Sequence, residues 1–134
     1  MSSSFTAGDV LEPKTFTVTR ADLVAYAGAS GDQNPIHQDE EVARSVGLPG
    51  VIAHGMYTLA LAARAVATWT GDAEVVELGA KFTAPVVVPD DDTGVEVEVA
   101  GTVASAEDGL VRISMTVTSG GAKVLGMPKA VVRA

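Results

Sequence analysis

The length, composition and charge of this chain exclude several classes of protein. Its 134 residues suffice for a single domain spanning residues 1–134, and 47% of them are hydrophobic although only 4% are aromatic. The net charge of -8 repels phosphate backbones, so we do not expect nucleic acid as a partner. Because it has no cysteine, the chain can form neither a disulfide nor a thiolate metal site.

The first half predicts a strand, two helical segments and one long helix. Residues 14–19 alternate in the manner of a strand, and Thr19 can then cap a helix. That helix has one expected apolar face, made of Leu23, Val24, Tyr26 and Ala27. Residues 39–46 predict one or two further helical turns. Residues 55–70 are apolar almost all the way round, which is typical of a helix surrounded by protein.

The second half predicts antiparallel strands that curl round this helix. Residues 95–99 and 111–117 alternate between apolar and polar side chains, and turns are expected at 107–109 and 119–121. Residues 75–88 predict a strand interrupted near Pro85, and residues 124–132 a last strand in which Pro128 marks an edge or a bulge. The expected fold class is α+β, with a curled antiparallel β-sheet wrapped around one long central helix.

The apolar stretch at residues 56–69 also bears on assembly and location. One sheet face cannot cover so apolar a helix, so we expect a dimer, either a homodimer or a heterodimer with a related subunit. The stretch carries Arg64 and is shorter than the ~20 residues that a membrane span needs. The first nine residues lack the charged and apolar regions of a signal peptide, which favours a cytoplasmic protein.

One segment carries residues suited to acid–base chemistry. Within the sequence YAGASGDQNPIHQD at residues 26–39, Asp32 and His37 stand five positions apart across Pro35. Pro35 favours extended backbone at Asn34, so the chain can double back and aim both side chains at one point. Adding water across a double bond requires two groups that exchange protons near neutral pH, and a carboxylate with an imidazole meets this need.

The start of the long helix is a second candidate element of the site. Helix N-termini offer free N–H groups and a positive dipole end to developing negative charge. Gly55 stands at this start, and its missing side chain lets a substrate carbonyl approach the backbone closely.

These residues resemble the signature of the MaoC-like family of R-specific enoyl-thioester hydratases and dehydratases. Residues 52–56, IAHGM, are similar to the family's entry into its central helix, and residues 81–86, KFTAPV, to its following strand. In particular, residues 8–89 resemble the B subunits of actinobacterial (3R)-hydroxyacyl-acyl-carrier-protein dehydratases. The resemblance implies a dimeric hot-dog fold with a thioester tunnel at the subunit boundary.

The same resemblance implies an activity and roles for individual residues. The activity is that of a hydro-lyase of fatty acid metabolism, which interconverts trans-2-enoyl and (3R)-3-hydroxyacyl thioesters of acyl carrier protein or coenzyme A without a cofactor. Carried over by position, Asp32 and His37 are the catalytic pair, and the Gly55 N–H binds the thioester carbonyl. Asn34 is expected to help fix the geometry of the loop. Met56 and Tyr57 are expected to line the acyl tunnel.

Two alternatives to this activity stay open. Hot-dog folds also host acyl thioesterases, and the chain could instead be a non-catalytic subunit that shapes the tunnel for a catalytic partner. His54 has no further ligands at a recognisable spacing, so we expect a helix cap or a loop hydrogen bond there, and no metal site.

Overall fold

A curled antiparallel sheet wraps a long helix in the computed structural model, which describes residues 5–91 and 93–134. The helices are α1 (Arg20–Ser30), α2 (Glu40–Ser45) and α3 (Gly55–Thr70), with a 3₁₀ turn at Pro35–His37. The strands are β1 (Val10–Val18), β2 (Glu74–Phe82), β3 (Val95–Glu107), β4 (Leu110–Ser119), β5 (Ala122–Lys123) and β6 (Leu125–Arg133). They lie in the order β1-β3-β4-β6-β2, with β5 beside β4, which confirms the predicted architecture.

Helix α1 begins where its capping residues predict. The Thr19 hydroxyl accepts a hydrogen bond from the Asp22 N–H at 3.2 Å, and the Asp22 carboxylate accepts one from the Thr19 N–H at 2.9 Å. This reciprocal pair satisfies two N–H groups that a helix start would otherwise leave without partners. The predicted apolar face is only partly right: Leu23 and Ala27 are buried, whereas Val24 is 55% exposed because no element covers that side of the helix.

Helix α3 packs one face against the sheet and leaves a narrow stripe open. Its buried residues recur at helical spacing and are Thr58, Leu61, Ala62, Ala65, Val66 and Thr70. The exposed stripe repeats every four residues and consists of Met56, Ala60, Arg64 and Thr68. The curled sheet of one chain therefore covers most of the helix but not this stripe, and burial of the stripe by a partner chain stays a prediction.

The 16-residue α3 is also the longest helix of the described ranges. No helix in those ranges is long and apolar enough to cross a membrane. The first four residues, on which the expectation about export partly depends, lie outside the described ranges.

The strands of the second half follow the predicted alternation. Val97 and Val99 of β3 and Ile113 of β4 are buried, and the turn between these strands places Asp108 and Gly109 at positive φ, as tight hairpins require. One further sequence prediction concerns Pro128 in β6. A bulge interrupts its pairing with β2 between Lys129 and Gly126, which confirms the disruption expected at Pro128.

Strand β2 ends earlier than predicted, and this break creates the site. It stops at Phe82, after which residues 83–88 leave the sheet and pair with the segment before α3. The Ala53 N–H donates to the Val86 carbonyl and the Val88 N–H to the Val51 carbonyl, each at 2.9 Å. These bonds place the chain that leads into α3 next to the end of β2.

Candidate active site

The loop between α1 and α2 is held by its own polar side chains. The Asn34 side-chain oxygen accepts from the Ile36 N–H at 3.2 Å and so caps the 3₁₀ turn. One Asp32 carboxylate oxygen accepts from the Asn34 N–H at 3.3 Å. Asn34 thus makes the contacts of a turn former, as the sequence indicates.

The ring of His37 is fixed in one orientation by the segment before α3. Its Nδ1 lies 2.7 Å from the Ile52 carbonyl oxygen, and the Ile52 N–H donates back to the Ile36 carbonyl at 3.3 Å. A carbonyl oxygen can only accept, so Nδ1 carries the proton and Nε2 keeps a free lone pair. His37 is 7% exposed, and its unprotonated nitrogen is therefore available in a largely dry setting.

Asp32 and His37 converge as the proline-turn argument predicts. A carboxylate oxygen of Asp32 and ring nitrogens of His37 and His54 lie within 4.8 Å of one another. Asp32 is exposed whereas both histidines are buried. The site therefore joins one solvent-accessible carboxylate to one sheltered imidazole, an arrangement that can hold a small molecule such as water between them.

His54 lies directly behind this pair. Its Nε2 donates to the backbone carbonyl of Asp32 at 3.0 Å, and its ring stacks on that of His37 with centroids 3.8 Å apart. Tyr26 meets the His54 ring edge-on at 4.7 Å. Of the two roles expected for His54, the loop hydrogen bond is present, whereas the side chain makes no cap hydrogen bond to α3.

The geometry of this cluster does not suit a chelated metal ion. A metal binds imidazole in the plane of the ring, along the nitrogen lone pair, at about 2.0–2.1 Å. The rings of His37 and His54 are stacked with only 22° between their planes, so one ion cannot lie in both planes. The absence of a metal ion from this site stays a prediction, and the stacking of the two rings is a physical reason for it.

A cavity of about 380 Å³ opens beside His37 at the N-terminus of α3. Its walls are mostly apolar and are formed by His37, Leu48, Ile52, Ala53, Gly55, Thr58, Phe82, Thr83, Ala84, Pro85, Val86, Val124 and Leu125. The Gly55 N–H makes no hydrogen bond to any acceptor in the described ranges. The predicted carbonyl-binding group and the predicted imidazole thus face one apolar space.

The ring of Phe82 closes over Gly55. A side-chain carbon built on Gly55 would lie 3.0 Å from two atoms of that ring. Phe82 is 59% exposed, so it stands at the mouth of the cavity rather than in its depth. Its contact with α3 depends on where β2 ends, and no feature of its own sequence segment indicates it.

Met56 and Tyr57 do not line this cavity, and their assignment to an acyl tunnel stays a prediction. Met56 belongs to the open stripe of α3 and is 58% exposed. Tyr57 is half-buried and packs edge-on against Tyr26 at 5.2 Å. Burial, and then the negative charge of Asp22, raise the pKa of the Tyr57 hydroxyl, which keeps it a hydrogen-bond donor at neutral pH.

A charged cluster braces the two segments that carry the site. Glu40 accepts from Arg20 at 2.8 Å, from Arg44 at 2.9 Å and from the Val51 N–H at 3.3 Å. Arg20 also donates to the Val88 carbonyl at 2.6 Å. Glu40 thereby connects α2 with the two paired segments that contain Val51 and Val88. The first of these segments also carries the Ile52 carbonyl, which orients His37.

We predict that this bracing fails in acid. Hydrogen bonds from Arg44 and from the Val51 N–H lower the pKa of Glu40. A carboxylate with a lowered pKa stabilises the fold above its unfolded-state pKa, and this contribution is lost as the pH falls through its folded-state pKa. In urea unfolding, Glu40→Gln should therefore be less stable than wild type at pH 7 and equal to it in strong acid.

The neighbouring Glu41 provides the matched control, because it lies in the same helical turn and forms no ion pair with the described residues. Glu41→Gln should unfold like wild type at both pH values. A constant difference between Glu40→Gln and wild type at all pH values would contradict the assignment.

This chain is similar to known proteins over most of its length. A protein-family model described as "MaoC like domain" matches residues 3–120. The 3-hydroxyacyl-thioester dehydratase X of Mycobacterium tuberculosis is 39% identical over 72 residues, which cover 54% of this chain and 25% of that protein. Among solved structures, a MaoC-like dehydratase superposes with a TM-score of 0.92 at 36% identity, over 96% of this chain and 40% of the other.

An R-hydratase from Pseudomonas aeruginosa superposes with a TM-score of 0.83 at 28% identity, over 97% of this chain and 82% of that one. The chain thus spans well under two thirds of the first dehydratase relatives and most of the hydratase. The family match extends over nearly all of the residues that build the cavity and the whole of the Asp32 to His37 loop. The chain belongs to the MaoC-like domain family.

Proposed function

We propose that this chain is a hydro-lyase that interconverts trans-2-enoyl and (3R)-3-hydroxyacyl thioesters in fatty acid metabolism. The observation that carries the proposal is the convergence of Asp32 and His37 beside an apolar cavity at a helix N-terminus. The dehydratase and hydratase relatives support the reaction class. Asp32, His37, Asn34 and Gly55 are its proposed site residues, with Met56 and Tyr57 as further candidates for contacts to the acyl chain.

In the hydration direction, the pair delivers one water molecule to the double bond. The free Nε2 of His37 and the Asp32 carboxylate hold the water, and its oxygen bonds to C3 of the enoyl group. The pair takes one proton from that water and returns one proton to C2. The product gains one hydroxyl and one hydrogen, so the equation balances without a redox partner or a metal.

The helix N-terminus stabilises the charge that this addition creates. As the oxygen adds to C3, negative charge moves to the thioester oxygen in an enolate-like transition state. The Gly55 N–H has no other acceptor in the described part of the chain and lies at the positive end of the α3 dipole. The apolar walls exclude water and strengthen this hydrogen bond.

Assembly as a dimer belongs to the same proposal. Strand β2 forms one edge of the sheet, and its exposed side chains include Val75, Val76 and Phe82. Unpaired apolar edges favour association with a second chain. A second copy or a related subunit on this edge would extend the sheet and approach the cavity mouth at Phe82. The lack of cysteine suits a reducing compartment, so a cytoplasmic location is also proposed.

One set of measurements tests reaction and assembly together. The isolated chain is assayed with short and long enoyl thioesters of coenzyme A and of acyl carrier protein, and its native mass is measured at the assay concentration. Loss of the enoyl ultraviolet absorbance without thiol release supports the hydro-lyase. Thiol release would indicate a thioesterase, because hydrolysis of the thioester also removes the conjugated absorbance. Activity that needs an added related subunit would indicate a heterodimer, and a monomeric mass would contradict the dimer.

A further inference from the structure

We propose that His54 is a positioning residue that holds both members of the Asp32 and His37 pair without touching substrate; this inference rests on the proposed function. His54 is 2% exposed and is not among the residues that line the cavity. Two of its contacts reach the pair, one to the backbone of Asp32 and one to the ring of His37. One side chain therefore connects two groups that stand five residues apart in the loop.

The hydrogen bond to Asp32 restrains the carboxylate through its backbone. The Asp32 carbonyl accepts from His54 Nε2 at 3.0 Å, which anchors an exposed loop residue to a buried one. The remaining contacts of Asp32 are local, from its own N–H to the Ser30 hydroxyl and from the Asn34 N–H to its carboxylate. Among these bonds, only the one to His54 ties Asp32 to the helix that supplies Gly55.

The stacking contact restrains His37 from the side. The Ile52 carbonyl fixes one ring nitrogen of His37 but leaves the ring free to tilt about that bond. The His54 ring, 3.8 Å away with 22° between the planes, blocks this motion. Tyr26 in turn holds the His54 ring from its edge. The result is a fixed direction for Nε2 of His37.

Fold stability alone does not account for a histidine at this position. Because Nε2 donates to a carbonyl, Nδ1 is the unprotonated nitrogen of the neutral ring, and it is buried with no hydrogen-bond partner among residues 5–91 and 93–134. An unsatisfied buried polar atom is unfavourable. A ring with both a hydrogen-bond donor and a stacking face nevertheless occupies the site. Holding Asp32 and His37 at the same time requires both of these features.

Three substitutions separate the two contacts. His54→Phe keeps a flat ring but loses the donor, His54→Gln keeps a donor but loses the ring, and His54→Leu loses both. A displacement of about 1 Å at reacting groups can cost 10²-fold in rate, so we expect His54→Leu to lower kcat by about 10²-fold. The Phe and Gln variants should each recover part of that loss. KM should change by less than about threefold in all three, because His54 does not contact substrate.

A double-mutant cycle distinguishes positioning from a general structural role. If His54 acts through the pair, His54→Leu should cost less than about threefold in kcat when added to Asp32→Asn, because the two groups that it holds act as a unit and that unit is already disabled. Equal losses in both backgrounds would overturn the inference, as would wild-type kcat in His54→Leu. Should the Leu variant fail to fold, the Phe and Gln variants are compared in the same way.

A spectroscopic readout needs no turnover. The Gln33 N–H shares a peptide unit with the Asp32 carbonyl, so its amide resonance reports the hydrogen bond from His54. His54→Phe should shift this resonance, and His54→Gln should leave it near its wild-type position. If wild type converts no enoyl thioester, the proposed function fails, whereas this resonance still decides whether His54 holds Asp32. An unchanged resonance in His54→Phe would overturn the inference.

Discussion

Replacing His37 by asparagine should lower turnover of enoyl thioesters by at least about 10²-fold while leaving the fold intact. An asparagine amide nitrogen can occupy the place of Nδ1 and keep the hydrogen bond to the Ile52 carbonyl, which in wild type is 2.7 Å long. The substitution therefore removes only Nε2, the nitrogen with the free lone pair. Steady-state kinetics with ultraviolet detection of the enoyl group measures the loss, and thermal unfolding checks the fold.

Asp32→Asn should cause a loss of similar size, because an amide has no ionisable group that can act as a general acid or base near neutral pH. The matched control is Asp108→Asn, at the β3–β4 turn. Asn tolerates the positive φ of 57° found there. That turn lies next to one end of β6, whereas Leu125, which lines the cavity, lies at the other end of β6. If Asp32→Asn and His37→Asn retained wild-type turnover, the proposed mechanism would be wrong.

The Asp32 to His37 loop could be predicted from sequence because its geometry is local. Pro35 restricts the residue before it, and Asn34 closes the turn with its own side chain, so the turn between the two residues of the pair forms from neighbouring residues. Helix α1 and the β3–β4 hairpin were predictable for the same reason. Their caps and turn residues lie within a few positions of the elements that they begin or end.

The remainder of the site depends on contacts between distant segments. His54 is 22 residues from Asp32, and the Ile52 carbonyl that orients His37 belongs to the backbone, which leaves no pattern of side chains. The position of Phe82 over Gly55 follows from the early end of β2. The exposure of Val24 has a similar cause, because hydrophobic spacing describes a face but does not determine whether another element covers it.

The helix start provides a second large effect. We expect Gly55→Val to lower kcat by about 10²-fold, comparable to the loss of one hydrogen-bond donor to a developing oxyanion. A side-chain carbon at this position would meet the Phe82 ring at 3.0 Å, and a branched side chain would add further atoms beside the N-terminus of α3. Kinetics of Gly55→Ala and Gly55→Val should show a graded loss as the side chain grows.

A second substitution distinguishes two causes of this loss. Phe82 is exposed at the cavity mouth, so Phe82→Leu can relieve contact with a new side chain. If crowding by the ring is the cause, Phe82→Leu should restore turnover to Gly55→Ala. If the approach of the substrate carbonyl to the backbone is blocked, the double variant should remain slow. Gly55 would have no role in binding the carbonyl if Gly55→Val turned over at the wild-type rate.

Gly28→Ala provides the matched control for adding a side chain to a helical glycine. Gly28 lies in α1, and apart from its chain neighbours and the nearby backbone of α1, a side-chain carbon there would meet no atom of the described residues within 4 Å. Alanine favours helix by about 1 kcal/mol over glycine, so this variant should unfold at a higher temperature and turn over at the wild-type rate. A loss of turnover confined to the Gly55 variants would then be due to the place of Gly55 beside the cavity, where the same added carbon meets the Phe82 ring.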